Sequence, residues 1–418
     1  MNKGIYARLS VMMFLQFFIW GAWFVTMGSY LTGSLAFSGA DSALAYSTQS
    51  WGAIIAPFII GLIADKYVNA ERLLGVIHLI GAVLMYVLAS ATEIGTFYPY
   101  LLLYMILYMP TLALVNAISF RQMDDPARYF GKVRVWGTVG WIVAGLAISY
   151  AFGWDSPSGI AGGLLRNTFL MASVASVALG IFSFTLPRTP PQRSEGGGLR
   201  EALGVDALAL LRDRNFLVFF VASILICIPL AFYYQHANQF LTEIQVANAT
   251  GIQTLGQMSE VGFMLLVPFF LKRFGMKMTL LFGMLAWAAR YVLFAYGNAG
   301  ELVFMLILGI ALHGVCYDFF FVSGQVFTDS KAGPRYKSAA QGLITLATYG
   351  VGMLIGFWIA GQLTDAFASG AGVHDWRSIW IYPAAFAAVV AVLFALLFRN
   401  EVVSYKPAPT GTPARNHG

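Results

Sequence analysis

The chain has 418 residues, of which 59% are hydrophobic and only 11% are charged. Because soluble proteins carry about 25% charged residues, this composition excludes an ordinary soluble domain and indicates a membrane protein. The formal net charge of +6 does not indicate nucleic-acid binding, since the Lys and Arg residues lie in short loops between apolar segments and form no long basic run.

Apolar segments recur along the whole chain, and each is near the length of about 20 residues that a membrane-spanning helix needs. They lack the period-two alternation of transmembrane strands. The pattern predicts an all-α polytopic membrane protein. Its twelve predicted spans cover residues 9–32, 44–64, 72–91, 98–120, 133–152, 164–186, 215–242, 252–271, 277–296, 301–325, 338–366 and 377–398.

The predicted spans divide into two groups of six. Residues 1–186 form a predicted N-terminal six-helix bundle, and residues 215–400 form a predicted C-terminal one. Residues 187–214 combine prolines, a glycine run and several charges, which is typical of a flexible cytoplasmic linker. The Pro- and Gly-containing segment 401–418 is predicted to be a disordered cytoplasmic tail.

The positive charges predict how the chain lies in the membrane. With a cytoplasmic N-terminus, all but three of the 25 Lys and Arg residues fall in even-numbered loops, at the span ends that border those loops, or at the termini. The exceptions are Arg166, Arg290 and Arg377. Since cytoplasmic loops carry an excess of Lys and Arg, both termini are expected in the cytoplasm.

A short charged motif follows the second predicted span. Gly61 precedes Asp65 and Lys66, and Arg72 begins the third span. Gly61 allows close helix approach, and the Asp65 carboxylate can pair with a basic group or a helix N-terminus across the interface of the two halves. These four residues are predicted to form a conformational latch. The alternative is ordinary loop charge.

The fifth predicted span opens with a polar and aromatic face. Arg134, Thr138 and Trp141 have i, i+4 and i+7 spacing, which places them on one side of a helix. If that side lines a cavity, Thr138 can hydrogen-bond a ligand and Trp141 offers a flat apolar surface. Alternatively, Arg134 extends to the membrane interface.

The seventh predicted span carries polar groups towards its outer end. Tyr234 and Asn238 are four residues apart, so they share a helix face. Their hydroxyl and amide groups can bond to hydroxyls and to the edges of heterocycles. The alternative interpretation is an aromatic belt at the membrane interface.

The eighth predicted span carries a carboxylate well inside its apolar run. Gln253, Gln257 and Glu260 lie at i, i+4 and i+7 on one helix face. A charge at this depth costs at least ~2.5–3.5 kcal/mol, so it needs a partner or a wet cavity, and such residues mark ion paths or proton relays. The alternative is a neutral Glu260 that is hydrogen-bonded between packed helices.

The tenth predicted span carries a second carboxylate, Asp318, next to Tyr317 and a run of phenylalanines. Burial disfavours the charged form of a carboxyl group, which suits reversible protonation. His313 lies near the same face of this predicted span, although a lone His is more often a packed residue. No second His or Cys pair completes a tetrahedral set, so no metal site is predicted.

Several stretches resemble the bacterial nucleoside:proton symporters, a branch of the major facilitator superfamily. The resemblance runs nearly end to end. It is carried by FLQFFIWGAW at 14–23, MPTLALVN at 109–116, RVWGTVG at 134–140, LFAYG at 293–297, YDFF at 317–320, SG at 323–324 and SAAQG at 338–342.

The resemblance implies the major facilitator fold, with twelve helices in two pseudo-symmetric six-helix bundles, and proton-driven nucleoside import by alternating access. It implies that Glu260 and Asp318 act in proton coupling. The seventh helix departs from the family pattern, because an ungapped match places Ala231 and Tyr234 where family transporters present a Gln and an Asn. The substrate-binding set predicted from spacing and resemblance together is Arg134, Thr138, Trp141, Tyr234, Asn238, Gln257, Glu260, Tyr317 and Asp318.

The alternative function is transport of another hydroxylated or ring-containing solute, such as a sugar or a nucleobase, or efflux. An enzyme would need a nucleophile–base pair or a metal set at helical spacing, and the sequence offers neither. No catalytic residue and no cofactor is therefore predicted. The expected partners are a nucleoside, protons and the lipid of the bacterial inner membrane, with no nucleic acid, and the chain is expected to be a monomer.

Overall fold

The computed structural model describes residues 2–59, 68–191, 205–370 and 373–401. Twelve membrane helices, numbered in chain order, can be assigned in this described part. They are α1 Lys3–Ser34, α2 Gly39–Ile59, α3 Ala70–Leu88, α4 Ile94–Arg121, α5 Pro126–Leu146, α6 Arg166–Ser183, α7 Arg214–Glu243, α8 and α9 within Ala249–Tyr296, α10 Val303–Gly333, α11 Ala339–Ala366 and α12 Trp376–Leu397.

Each predicted span overlaps one of these helices. Ten helices in the described part of the chain are long and apolar enough to cross a membrane. One of the ten, Ala249–Tyr296, contains two predicted spans. The helix α2 covers residues 44–59 of the predicted span 44–64, and the last residues of that span lie outside the described ranges. The predicted boundaries differ most at α10, which extends past residue 325.

A glycine separates α8 from α9. Gly275 has φ 77° and ψ 174°, a conformation that glycine adopts without a steric penalty. The helix breaks there, so that residues 249–274 and 276–296 form two spans with a tight turn between them. Gly333, with φ 62°, marks the corresponding break between α10 and α11.

Two helices begin with an aspartate that caps their free backbone N–H groups. Asp213 accepts a hydrogen bond of 2.8 Å from the backbone N–H of Phe216 at the start of α7. Asp375 accepts hydrogen bonds from the hydroxyl (2.6 Å) and the backbone N–H (3.2 Å) of Ser378 in α12. These bonds favour the ionised carboxylate, so they lower the pKa of Asp375.

The helices pack mainly within their own half of the chain. In the first half, α1 packs against α5 and α6, while α4 contacts α2 and α3. In the second half, α12 packs against α7 and the α8–α9 segment, and α10 packs against the same segment. The two halves meet where α2 contacts α11, α5 contacts α8, and α1 contacts α7.

Close backbone approach lets the halves meet. A Cβ atom on Gly28 of α1 would lie 2.5 Å from the carbonyl oxygen of Gln235 in α7, and one on Gly361 of α11 would lie 2.5 Å from the carbonyl oxygen of Gly39 in α2. Since real Cβ atoms do not come this close, the small residues permit these contacts.

An aspartate joins the halves at the end of the bundle opposite the chain termini. Asp155, between α5 and α6, accepts a 2.9 Å hydrogen bond from the backbone N–H of Thr250 at the start of α8. It also accepts one from the hydroxyl of Ser149, which in turn accepts the N–H of Gly251. We name these four residues the Asp155 clasp.

A second aspartate makes the equivalent contact with the halves exchanged. Asp365, near the end of α11, accepts hydrogen bonds from the backbone N–H groups of Gly39 (2.6 Å) and Ala40 (2.9 Å) at the start of α2. We name these three residues the Asp365 clasp. In both clasps a carboxylate near or just beyond the end of the fifth helix of one half meets the positive N-terminus of the second helix of the other half.

Several predicted segments lie outside the described residues. These include Gly61, Asp65 and Lys66 of the predicted latch, whereas Arg72 is described and exposed. The predicted linker is described at both ends, and its second part forms a 3-10 helix, Val205–Arg212, packed against α7 and against the segment Ser323–Thr345 at the junction of α10 and α11. The predicted tail is described only at Glu401.

The two clasps join the halves at this end of the bundle, so breaking one of them should favour a conformation in which this end is open. Asp365→Ala removes two hydrogen bonds to a carboxylate, and such bonds contribute about 1.5–3 kcal/mol each, so the closed population should fall about tenfold or more relative to the open one. Distances between spin labels on the exposed Ala161 and Ala247, which flank the other clasp, report the opening.

The matched control is Asp41→Ala. Asp41 lies at the same end of the bundle, but it accepts its hydrogen bonds from Ser38 within its own half. The control should leave the label distances unchanged. Identical distances in Asp365→Ala and the parent protein would contradict a clasp role for Asp365.

Candidate functional site

A pocket lies between the two halves, lined by α1, α5, α7 and α8. Trp141, Tyr234 and Gln257, three of the residues predicted from spacing, line it together. The other lining residues are Gly21, Val25, Gly145, Tyr233, Thr250, Gln253 and Thr254. The pocket therefore combines aromatic faces with amide and hydroxyl groups, the combination that binds a ring carrying polar substituents.

Local sequence explains why Trp141 can face the pocket. A Cβ atom on Gly21 would lie 2.9 Å from Cγ of Trp141, so the missing side chain on α1 makes room for the indole ring. The indole packs edge-on against Trp20, with ring centroids 5.6 Å apart. On α8, Gln253 and Gln257 are one helical turn apart and point to the same side.

Glu260 lies one turn beyond Gln257 on α8. Its side chain is 21% exposed, and its Oε2 atom is 3.9 Å from Nε2 of His313 on α10. Glu260 also interacts electrostatically with Arg134 on α5, in the other half of the chain. A carboxylate at this depth needs such positive or donating partners, because water cannot fully solvate it.

Arg134 is half-buried and stacks on a ring of its own half. Its guanidinium carbon lies 4.0 Å from the centroid of the Phe17 ring on α1. Besides Glu260, it interacts electrostatically with Tyr317 and Tyr349 of the second half. Arg134 is thus the positive group that the first half presents to the second.

Two tyrosines of the second half are joined by a hydrogen bond. The hydroxyl oxygens of Tyr317 on α10 and Tyr349 on α11 are 2.8 Å apart. Tyr349 lies in a π-helical segment, Leu346–Gly352, and a similar segment, Asp318–Val322, begins directly after Tyr317. Wide helical turns of this kind are frequent at functional sites.

Asp318 is more deeply placed than Glu260. It is fully buried, and neither carboxyl oxygen has a hydrogen-bond partner among the described residues. It interacts electrostatically with Glu260. An ionised carboxylate in such surroundings is strongly disfavoured, so this arrangement favours a protonated Asp318 in this conformation.

Asn238 is buried beside the pocket and connects three helices. Its Oδ1 accepts a 2.6 Å hydrogen bond from the hydroxyl of Ser29 on α1. Its Nδ2 donates to Thr250 (3.0 Å) and to Gln253 (2.6 Å) on α8. In this conformation Asn238 therefore joins the two halves and orients two pocket-lining side chains, and its amide group contacts the pocket through them.

The remaining predicted residue, Thr138, is half-buried on α5 between Arg134 and Trp141. Sequence reasoning missed Tyr349 and Arg290, whose roles depend on contacts between helices distant in sequence. Gln253 was visible on the α8 stripe, and its place in the pocket follows from the same spacing that identified Gln257. No group of three or more His, Cys, Asp or Glu side chains suited to a metal ion occurs in the described ranges.

Comparison with known proteins decides the family. The model of the nucleoside H+ symporter family matches residues 3–402. The chain belongs to the nucleoside H+ symporter family. The major facilitator fold expected from the sequence is thereby confirmed, and the chain is a multi-pass membrane transporter and not an enzyme.

Individual relatives of this symporter agree with the family. One relative is YegT of Escherichia coli (strain K12), which is provisionally assigned as a nucleoside transporter. It is 43% identical over 415 residues, covering 96% of both chains. The xanthosine permease of the same organism is 36% identical, covering 95% of this chain and 96% of the permease. The crystal structure of the nucleoside transporter NupG superposes with a TM-score of 0.86 at 30% identity, covering 96% of this chain and all of NupG.

Proposed function

We propose that this symporter imports nucleosides with protons across the bacterial inner membrane, and that Glu260 is the carboxylate that couples the two. The observation that carries the proposal is the position of Glu260. It lies one helical turn beyond Gln257, which lines an aromatic and amide-lined pocket, and it interacts electrostatically with Arg134 from the other half of the chain. A proton that binds Glu260 weakens this attraction between the halves.

The substrate class follows from the chemistry of the pocket. Trp141 and Tyr234 present ring faces on which a base can stack, and Gln257 offers both a donor and an acceptor. We assign the base to the aromatic side and the ribose hydroxyls to Gln257, Glu260 and the Tyr317 hydroxyl. Arg134 and Thr138 complete one side of the site, and Asn238 orients Gln253 and Thr250 around it.

The transport cycle proposed here uses two carboxylates. Asp318 is buried, and its carboxyl oxygens have no hydrogen-bond partner among the described residues, so we assign it a proton in this cycle. Glu260, partly exposed, exchanges its proton with the pocket. With both chain termini in the cytoplasm, the end that carries the two clasps faces outwards, so the described conformation is closed to the outside. Opening the clasps and closing the opposite end gives alternating access.

The coupling role of Glu260 predicts a separation of two activities. Glu260→Gln keeps the size and one hydrogen-bond acceptor of the side chain but cannot carry an exchangeable carboxyl proton. Accumulation of labelled nucleoside in proteoliposomes driven by a pH gradient should therefore be lost. Exchange of nucleoside across the membrane without a gradient should continue, because nucleoside binding and the alternation between the two conformations do not need the carboxyl proton.

Glu301→Gln serves as the control, because Glu301 is an exposed carboxylate in the loop before α10. It should accumulate nucleoside like the parent protein. Undiminished pH-driven accumulation by Glu260→Gln would remove Glu260 from the coupling role, whatever the substrate.

The substrate class is tested by binding. A ligand at about one hundred times its Kd stabilises the folded protein by roughly 2.7 kcal/mol, so nucleosides should raise the melting temperature of the purified transporter. Free bases, ribose and disaccharides should raise it less. A disaccharide that stabilises the protein while nucleosides do not would favour the alternative of sugar transport.

Trp141→Ala sharpens the test, because stacking of a base on an aromatic side chain contributes roughly 1–3 kcal/mol. Nucleoside affinity should fall by about tenfold or more. Trp136→Ala is the matched control, since Trp136 is an exposed tryptophan on the same helix. Equal nucleoside affinities of the two variants would contradict the stacking role of Trp141.

A further inference from the structure

Arg290 on α9 is a buried cation that the transport cycle above does not use. It is fully buried, and its guanidinium carbon lies 3.4 Å from the centroid of the Tyr233 ring on α7. Its Nη1 atom is 3.2 Å from Nδ1 of His313 on α10. Its Nε and Nη2 atoms have no hydrogen-bond partner among the described residues. Burying a charge in this way is costly, so a role for it is expected.

The contact between Arg290 and His313 fixes the chemistry of the imidazole. An arginine side chain has only donors, so Nδ1 of His313 must accept the hydrogen bond and carry no proton. In the neutral ring the proton is then on Nε2. This nitrogen is the one that lies 3.9 Å from Oε2 of Glu260. His313 therefore directs an N–H group at the carboxylate of Glu260.

The packing around His313 holds the ring in this orientation. Its ring stacks on Tyr233, with centroids 5.3 Å apart and planes at 24°. Gly256 on α8 gives the ring room, because a Cβ atom there would lie 3.2 Å from Cβ of His313. Tyr233 thus contacts both His313 and Arg290, because the imidazole and the guanidinium are each placed against its ring.

Charged and titratable groups reach Glu260 from three other helices, α5, α7 and α10. Arg134 approaches from α5, and Tyr234 from α7. Tyr317 and Asp318 approach from α10, as does His313. Arg290 on α9 stands behind His313. Protonation of His313 would place a second cation next to Arg290, which like-charge repulsion disfavours. His313 is therefore suited to be a neutral donor and not a proton carrier.

We propose that Arg290 and His313 form a positioning pair for the coupling carboxylate Glu260. Arg290 fixes the tautomer of His313, and the Nε2–H group of His313, 3.9 Å from Oε2 of Glu260, stabilises the ionised carboxylate electrostatically without a direct hydrogen bond. The pair thereby competes with Arg134 of the first half for Glu260. This inference rests on the coupling role of Glu260 proposed above, and it concerns how readily that carboxylate gives up its proton.

The test compares initial nucleoside uptake as a function of external pH at fixed internal pH. Arg290→Met removes the donor that fixes the His313 tautomer, so Nε2–H is no longer held towards Glu260 and the carboxylate keeps its proton to higher pH. The pH of half-maximal uptake should rise by about one unit. Arg290→Lys keeps the charge and should shift the midpoint less. A purely structural role would lower the amount of folded protein without moving the midpoint.

Two His313 variants separate positioning from proton transfer. His313→Gln retains one acceptor for Arg290 and one N–H donor for Glu260, so the midpoint should stay close to that of the parent protein. His313→Phe retains the ring on Tyr233 but has neither group, and its midpoint should rise as in Arg290→Met. Exchange without a gradient, measured in parallel, verifies that each variant is folded and binds nucleoside.

Two outcomes would overturn the proposal. An unchanged pH of half-maximal uptake in both Arg290→Met and His313→Phe would mean that Arg290 and His313 contribute only to packing. Loss of pH-driven accumulation in His313→Gln, with exchange retained, would make His313 a proton carrier. Failure of the Glu260 role itself is seen separately, since Glu260→Gln would then still accumulate nucleoside.

Discussion

The electrostatic interaction between Glu260 and Arg134 links the two halves at the depth of the bilayer, and the proposed transport cycle depends on it. Each charge would be costly at bilayer depth alone, and each is supplied by a different half of the chain. In the proposed cycle, this attraction makes the relative position of the halves sensitive to one proton on Glu260. A proton that neutralises Glu260 leaves Arg134 supported by the Phe17 ring and by the tyrosines opposite it. The carboxylate can then be released without leaving an unpaired buried anion.

The contacts at the closed end complement this central pair. The Asp155 and Asp365 clasps use carboxylates and helix N-termini, so they join the halves without a buried pair of opposite side-chain charges. Between the clasps and Glu260 lies the pocket, and Asn238 connects its polar lining to α1. In the proposed cycle, closure of one end, the shape of the pocket and the protonation of Glu260 are therefore linked through α1, α7 and α8. A ligand that binds one arrangement better shifts the whole equilibrium.

Much of the fold was predictable from the sequence, because apolar length and the distribution of positive charge follow directly from the bilayer. The stripe of Gln257 and Glu260 was also predictable, since helical spacing places these residues on one face. The Tyr317–Tyr349 bond and the Arg290–His313 pair were not, because they join helices whose relative rotation is set by packing. The amide of Asn238 shows the same limit. Spacing placed it near the pocket, but its three partners come from other parts of the chain.

Infrared difference spectroscopy of the carboxyl groups tests the central claim most directly. Spectra of the transporter with and without nucleoside, recorded at a pH where Glu260 is partly ionised, report changes in carboxyl protonation on binding. The account predicts a nucleoside-dependent change in the protonated-carboxyl band that is absent from Glu260→Gln and retained in Glu301→Gln. An identical difference band in Glu260→Gln, or no band in the parent protein at saturating nucleoside, would contradict it.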